Sequence, residues 1–196
     1  MIEKTRAFIL RIINNKDAGK ILILYTEKMG KVTAFAYIPE KINSIALSTY
    51  EIGNAVEVVL YKKKENENFT VSQISLIKQY PNIRFDYDKY RVLNYVLKTV
   101  LRYTEENIED KQLMNFLKIY MNFLNNTKMI NNNLIFFFDY YFLHIQGLIK
   151  DLLCETEEEK YLMQNLKEQV ILDDKLSPYI TKNLRKQVSE TKKLLG

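Results

Sequence analysis

The side chains that do chemistry in most enzymes are scarce here, and their setting argues against catalysis. The 196 residues include one histidine and one cysteine. His144 lies in the most apolar stretch, LIFFFDYYFLHIQGLI over residues 134–149, four residues from both Tyr140 and Leu148. An imidazole on such a face reads as a buried or half-buried structural group rather than a general base. Cys154 follows Leu152 and Leu153 at a helix end, where the helix dipole has the wrong sign to lower a thiol pKa, so an inert thiol is expected. The acidic run Glu155-Thr156-Glu157-Glu158-Glu159 reads as a solvated helix start, which the dipole favours, rather than a cation site. The chain lacks a Walker loop, an H-E-x-x-H helix, a G-x-S-x-G elbow and any paired-cysteine motif. One thiol excludes a disulfide framework and a cysteine-built zinc site. The expectation is a protein with no enzymatic activity, no metal and no cofactor. The one enzymatic alternative rests on His144.

Binding chemistry is better supplied. Arg6, Arg11, Lys16, Lys20, Lys28, Lys31, Lys41 and the run Lys62-Lys63-Lys64 share the first third of the chain with Phe35, Tyr37 and Tyr61. Cationic groups neutralise phosphates, while rings stack on bases whatever the sequence, so this mixture suits single-stranded nucleic acid. Plainer roles exist for each: lysines on strands guard edges, and Phe35, alternating with Ala34 and Ala36, is expected in the core. The net charge is +5, and residues 1–80 carry most of it, with twelve Lys/Arg against eight Asp/Glu. The rest of the chain holds seventeen against sixteen. Because 23 of the 29 basic residues are lysine, in a chain also rich in Asn and Ile, a mixture that AT-rich coding tends to produce, charge alone is a weak argument. Hydrophobic residues at 47% and charged residues at 27% exclude wholesale disorder.

The elements that must position these residues change period near residue 80. Up to there the pattern is that of strands. Phe8, Leu10 and Ile12 alternate with Ala7, Ile9 and Arg11, and residues 21–25, 32–37, 56–61 and 69–77 form four more runs rich in Ile, Val and aromatics. Gly30 supplies the positive φ that a tight connection needs, and residues 38–55 form the one long excursion. Five short strands with one excursion suit a small closed barrel, which leaves no exposed edge. After Pro81 the spacing turns helical: Tyr90, Leu93, Leu97, Val100 and Leu101 share a face, as do Leu113, Phe116, Leu117, Tyr120 and Leu124. A third helix spans 134–152, apolar enough around residues 136–138 to be buried on most sides. Further helices are expected near 156–171 and 178–194, the latter opened by Ser177-Pro178. The reading is therefore α+β: residues 1–80 a barrel, residues 81–196 all-α. The N-terminus is too charged for a signal peptide core, and the apolar stretch carrying Asp139 and His144 is no membrane span, so a cytoplasmic protein is expected.

Thr5-Arg6-Ala7-Phe8-Ile9-Leu10-Arg11, followed by a hydrophobic strand from Lys20 and then Thr26 with Gly30-Lys31-Val32-Thr33-Ala34-Phe35-Ala36, resembles the start of the RecO family of DNA repair proteins. In that family an A-x-V-L-R strand precedes a hydrophobic strand and then T-x-x-x-G-K-V-x-A-x-A. Phe138-Asp139-Tyr140-Tyr141-Phe142-Leu143 is similar to the family's aromatic helix. The resemblance implies an N-terminal OB-fold and a C-terminal helical domain. It implies a recombination mediator that binds single- and double-stranded DNA and anneals complementary strands. It further implies contact with the C-terminal tail of single-stranded-DNA-binding protein, and work with RecR to place RecA. Lys182, Arg185 and Lys186 are the expected contributors to partner docking, although a solvated basic face is the default for such residues.

Two departures from the family pattern bear on function. Cys154 matches the first ligand of a four-cysteine zinc module, but no second cysteine follows, so zinc is not expected. The family's basic loop after the third strand is reduced to Lys41, with Glu40 beside it and Ser44 in place. This predicts a shallow salt dependence of DNA binding, or a site moved towards Arg11, Lys20 and the lysine run. The alternative reading is a protein-interaction scaffold with little residual DNA binding.

Overall fold

A computed structural model describes residues 1–15, 19–37, 44–62, 68–128, 130, 133–149, 157, 160 and 182–194. Five strands, β1 (Ile2–Asn15), β2 (Gly19–Thr26), β3 (Gly30–Tyr37), β4 (Ala55–Tyr61) and β5 (Phe69–Lys78), close a barrel in the order β1-β2-β3-β5-β4. All neighbours are antiparallel except β3 and β5. This is the small closed barrel expected from the period-two runs, and it is OB-like, as the family resemblance implies. The excursion between β3 and β4 carries a short helix, α1 (Ser44–Thr49).

Alternation decides what fills the barrel. Ala7, Ile9, Leu22, Leu24, Val32, Ala34, Ala36, Val56, Val58, Leu60 and Phe69 form one cluster, each at most 5% exposed. The interior is narrow, so small residues line β3 where it faces larger ones. Here the expectation for Phe35 fails. Ala34 and Ala36 take the interior positions, so Phe35 points outward and is only half buried. Simple alternation in β1 also breaks. Ile9 pairs with Leu24 and Arg11 with Ile23, leaving Leu10 without an opposite residue. This bulge re-phases the strand. Without it Arg11 would share the inward phase of Ala7 and Ile9; with it Ile12 packs on the core and Arg11 is exposed.

The chain divides into two units, Met1–Lys118 and Ile119–Gly196. In the first, Pro81 opens the short α2 (Pro81–Arg84), and α3 (Tyr87–Tyr103) follows. The Asp86 carboxylate caps α3 by accepting from the backbone N–H groups of Asp88 and Lys89. One face of α3 is apolar, with Val92, Leu93, Val96, Leu97 and Val100 buried, and the helix packs on β1. The connection to α4 (Lys111–Asn126) crosses the start of β3, where Lys31 bridges to Glu106 and the Asn107 N–H donates to the Lys31 carbonyl at 2.9 Å.

The second unit contains the end of α4, α5 (Asn133–Ile145) and α6 (Lys182–Lys193). Phe136, Phe137, Phe138, Tyr140, Tyr141, Phe142 and Leu143 are all buried, as the apolar run predicts. The Tyr120 hydroxyl donates to the Leu134 carbonyl at 2.7 Å, and its ring meets Phe138 edge-on. The helix expected near 178–194 is present over 182–193. The helix expected near 156–171, the Ser177-Pro178 start and Cys154 lie outside the described residues. Among the described residues no helix is long and apolar enough to cross a membrane.

Candidate nucleic-acid interface

The outer surface of the barrel has two different ends. Near the β2–β3 hairpin the cations are matched. Lys4 pairs with Glu57 at 2.8 Å, Lys28 with Glu3, and Lys118 with Glu27 at 2.7 Å. The hydrogen bond from Lys118, helped by the charges of Lys118, Arg6 and Lys28, outweighs partial burial and holds the Glu27 carboxyl below its ordinary pKa. Arg6 is exposed on β1, opposite Glu57 of β4. The Lys31 ammonium donates to the carbonyls of Leu101, at 2.9 Å, and Thr104. It caps the C-terminus of α3, where a cation answers the unpaired carbonyls and the dipole.

The other end is different. Arg11 of β1 lies opposite Ile23 of β2, which lies opposite Thr33 of β3. In the next row Ile13, Ile21, Phe35, Thr70 and Tyr61 stand in register across all five strands. These side chains share the outward phase, and strands are about 4.8 Å apart, so Phe35 and Tyr61 stand about 10 Å from each other. Tyr37, two residues beyond Phe35 on the same strand and face, is 64% exposed. Gly19 makes room for this arrangement. A Cβ at that position would lie 2.3 Å from the Phe35 ring, so the ring rests on the strand where a side chain is missing. Lys20 is half exposed at this end of β2, and Lys62 at the end of β4 stands over the Phe69 ring, 5.2 Å from its centroid. Among the described residues no carboxylate pairs with Arg11, Lys20 or Lys62.

The fold thus places Arg11, Lys20, Phe35 and Tyr37 on the neighbouring strands β1, β2 and β3, with Tyr61 two strands beyond Phe35 on β4 and Lys62 directly after it. It sends Arg6 and Lys28 to the charge-matched end and gives Lys31 to the end of α3. Lys16, Lys41, Lys63 and Lys64 lie outside the described residues; Lys16 belongs to the β1–β2 connection, and Lys63 and Lys64 to the β4–β5 connection. Sequence reading missed Ile13, Ile21, Ile23 and Thr33. The signal was the apolar run of residues 21–25, which offers one face more than a small barrel interior needs.

On α6, Arg185 is exposed, and Lys186 is exposed and stands 3.8 Å from Glu190. Lys182 is the first residue of that helix. His144 is half buried; its Nδ1 lies 3.3 Å from the Ile149 carbonyl, and its ring stacks on Tyr140. Among the described residues no group of three or more His, Cys, Asp or Glu is placed to hold a metal ion.

The family model described as Recombination protein O N terminal matches residues 1–80. Three similar proteins are each described as DNA repair protein RecO. The one from Chlorobium luteolum is 29% identical over 78% of this chain and 58% of its own length. Its counterpart from Chloroherpeton thalassium is 30% identical over 76% of this chain and 56% of its own. For the Clostridium novyi protein the figures are 29%, 82% and 55%. The chain therefore matches somewhat more than half the length of these relatives.

Proposed function

By its N-terminal domain and its relatives the chain belongs to the RecO family, and from that premise we propose a non-enzymatic recombination mediator that holds single-stranded DNA on the outer flank of its barrel. The observation that carries this reading is the row of outward Phe35, Thr70 and Tyr61, with Tyr37 beside it and Arg11, Lys20 and Lys62 around it. Rings spaced along a strand face receive successive bases, and unmatched cations receive the phosphates between them. The β2–β3 face and its flanking connections are also the surface that OB-folds generally use for oligonucleotides. Lys16, Lys63 and Lys64 belong by sequence to those connections and lie outside the described residues; they count in this proposal as further cations for phosphates. Arg6 and Lys28 contribute more weakly because carboxylates flank them, and Lys41 is what remains of the loop cations. Lys31 serves mainly as a helix cap.

The wider activity follows the family: duplex DNA binding, annealing of complementary strands, and loading of RecA together with RecR in the cytoplasm. The basic face of α6, with Lys182, Arg185 and Lys186, is the proposed dock for the acidic tail of single-stranded-DNA-binding protein. A second reading, a scaffold with little DNA affinity, draws support from the carboxylates matched to Lys4, Lys28 and Lys118. Titrating a fluorescent oligo(dT) at low and moderate salt separates the two. Binding that weakens in Tyr37→Ala and Arg11→Ala supports the mediator; no binding at low salt favours the scaffold. Co-purification with RecR tests the partner.

A further inference from the structure

We infer that the cleft between β1 and α3 is a subsite for one unstacked base, with its flanking phosphates held by Arg11 and Lys98. This inference rests on the single-strand reading above and lengthens that site from the barrel onto the helix. The cleft measures about 380 Å³, within the range of small-molecule sites. Leu10 and Ile12 of β1 and Leu97 and Leu101 of α3 give it apolar walls. Arg11 and Lys98 are exposed at its edge, and among the described residues no carboxylate lines it.

Apolar walls under a purely cationic rim ask for a ligand that is flat and apolar in its body and anionic on both sides. A nucleotide within a strand has that form. The Leu10 bulge makes the arrangement. It withdraws Leu10 from the ladder into the cleft wall and turns Arg11 outward, into the same row as Ile23 and Thr33 of the barrel flank. One guanidinium therefore borders both surfaces, which favours a continuous polymer over a separate ligand. On α3, Lys98 and Arg102 are four residues apart and share a helix face, so the cationic track continues beyond the cleft, whereas Arg91, seven residues before Lys98, is paired with Asp88 at 3.5 Å. Asn94 donates its amide N–H to the Tyr90 carbonyl at 2.9 Å, which leaves Oδ1 to accept from a base N–H such as thymine N3–H. A duplex keeps its bases stacked inside, so only a single strand or an extruded base offers the required face.

The test uses the full chain, fluorescent oligo(dT) and an oligonucleotide of equal length with abasic sites. Lys98→Ala, at an exposed position, should make the log-affinity against log-salt slope shallower by about 0.7, one phosphate on a single strand. Asn94→Met places a longer apolar chain at the cleft mouth. It should weaken oligo(dT) about fivefold, the lower end for losing one stacked base, and narrow the preference for intact over abasic strands. Thermal melting confirms that each variant folds. If both variants match the wild type while Tyr37→Ala and Lys20→Ala weaken binding, the barrel reading stands and the cleft assignment falls. If the wild type binds no oligo(dT) at low salt, both fall together. Binding of an acidic, apolar peptide that Asn94→Met abolishes, with DNA unaffected, would overturn the inference in favour of a protein ligand.

Discussion

Buried polar side chains on the helical and barrel units set the behaviour seen at single residues. In the second unit Lys192 on α6 donates to Asp139 on α5 at 2.5 Å, with the two side chains only 14% and 11% exposed. Removing one member of such a pair leaves the other charge in a poor solvent, which costs about 3–5 kcal/mol. Lys192→Ala should therefore lower unfolding stability by about 3 kcal/mol in urea, and Asp139→Leu combined with Lys192→Met should recover most of it. Tyr80 gives a pH prediction. Burial pushes its hydroxyl from 10.0 up to about 12, so the folded state keeps a proton that the unfolded chain releases. A raised acid pKa contributes stability below the unfolded value and loses it as pH climbs from about 10 towards 12. Burial raises Tyr25 and Tyr141 as well, so stability should fall steeply above pH 10. Tyr80→Phe should flatten part of that fall, as read by denaturant midpoints at pH 9 and pH 11.

Among the elements, the β2–β3 hairpin and the α3–α4 connection depend on one glycine. Gly30 has φ +61, and a Cβ there would lie 1.8 Å from the Ile108 carbonyl oxygen. The Thr26 hydroxyl donates to the Gly30 carbonyl at 3.0 Å and accepts from the Met29 N–H, so the turn is pinned from both sides. Gly30→Ala meets backbone strain of about 1–3 kcal/mol and a clash with backbone that has no side chain to move. A loss above 2 kcal/mol is expected, checked by thermal melting. Hydrogen exchange should also show residues 104–110 opening more readily than in the wild type. Gly30 as the turn residue was legible from the sequence, because few residues reach positive φ. Its second role was not, since residue 108 is 78 positions away along the chain.

For the molecule as a whole, a net charge of +5 is less informative than where unmatched charge lies. With Arg11, Lys20 and Lys62 as the unmatched cations of the described flank, three phosphates give a salt slope of about −2 with single strands. Lys16, Lys63, Lys64 and the α3 row would steepen it. A slope of about −4 in oligo(dT) titrations between low and moderate salt would mean the track extends well past the flank. A slope near zero would mean that phosphates are not the target.

Much of the architecture was readable because it is local. Period-two runs fill a barrel whose interior admits one face of each strand, and a 3.6-residue period gives the helices a buried stripe. The RecO-like opening lies in those same strands. Register and pairing decided the rest. Whether Phe35 is core or surface turned on which side of β3 the alanines fill, and a narrow interior chose the smaller residues. Arg11 faces outward because of a bulge that no composition signals. Lys28 and Lys31 read alike along the chain, yet one meets a carboxylate on β1 and the other the carbonyls ending α3, some 70 residues on. Side-chain type and spacing set what each strand or helix can bury. Which cations remain unmatched, and beside which rings, depends on contacts between distant segments, and only the closed barrel with α3 packed on β1 brings those into being.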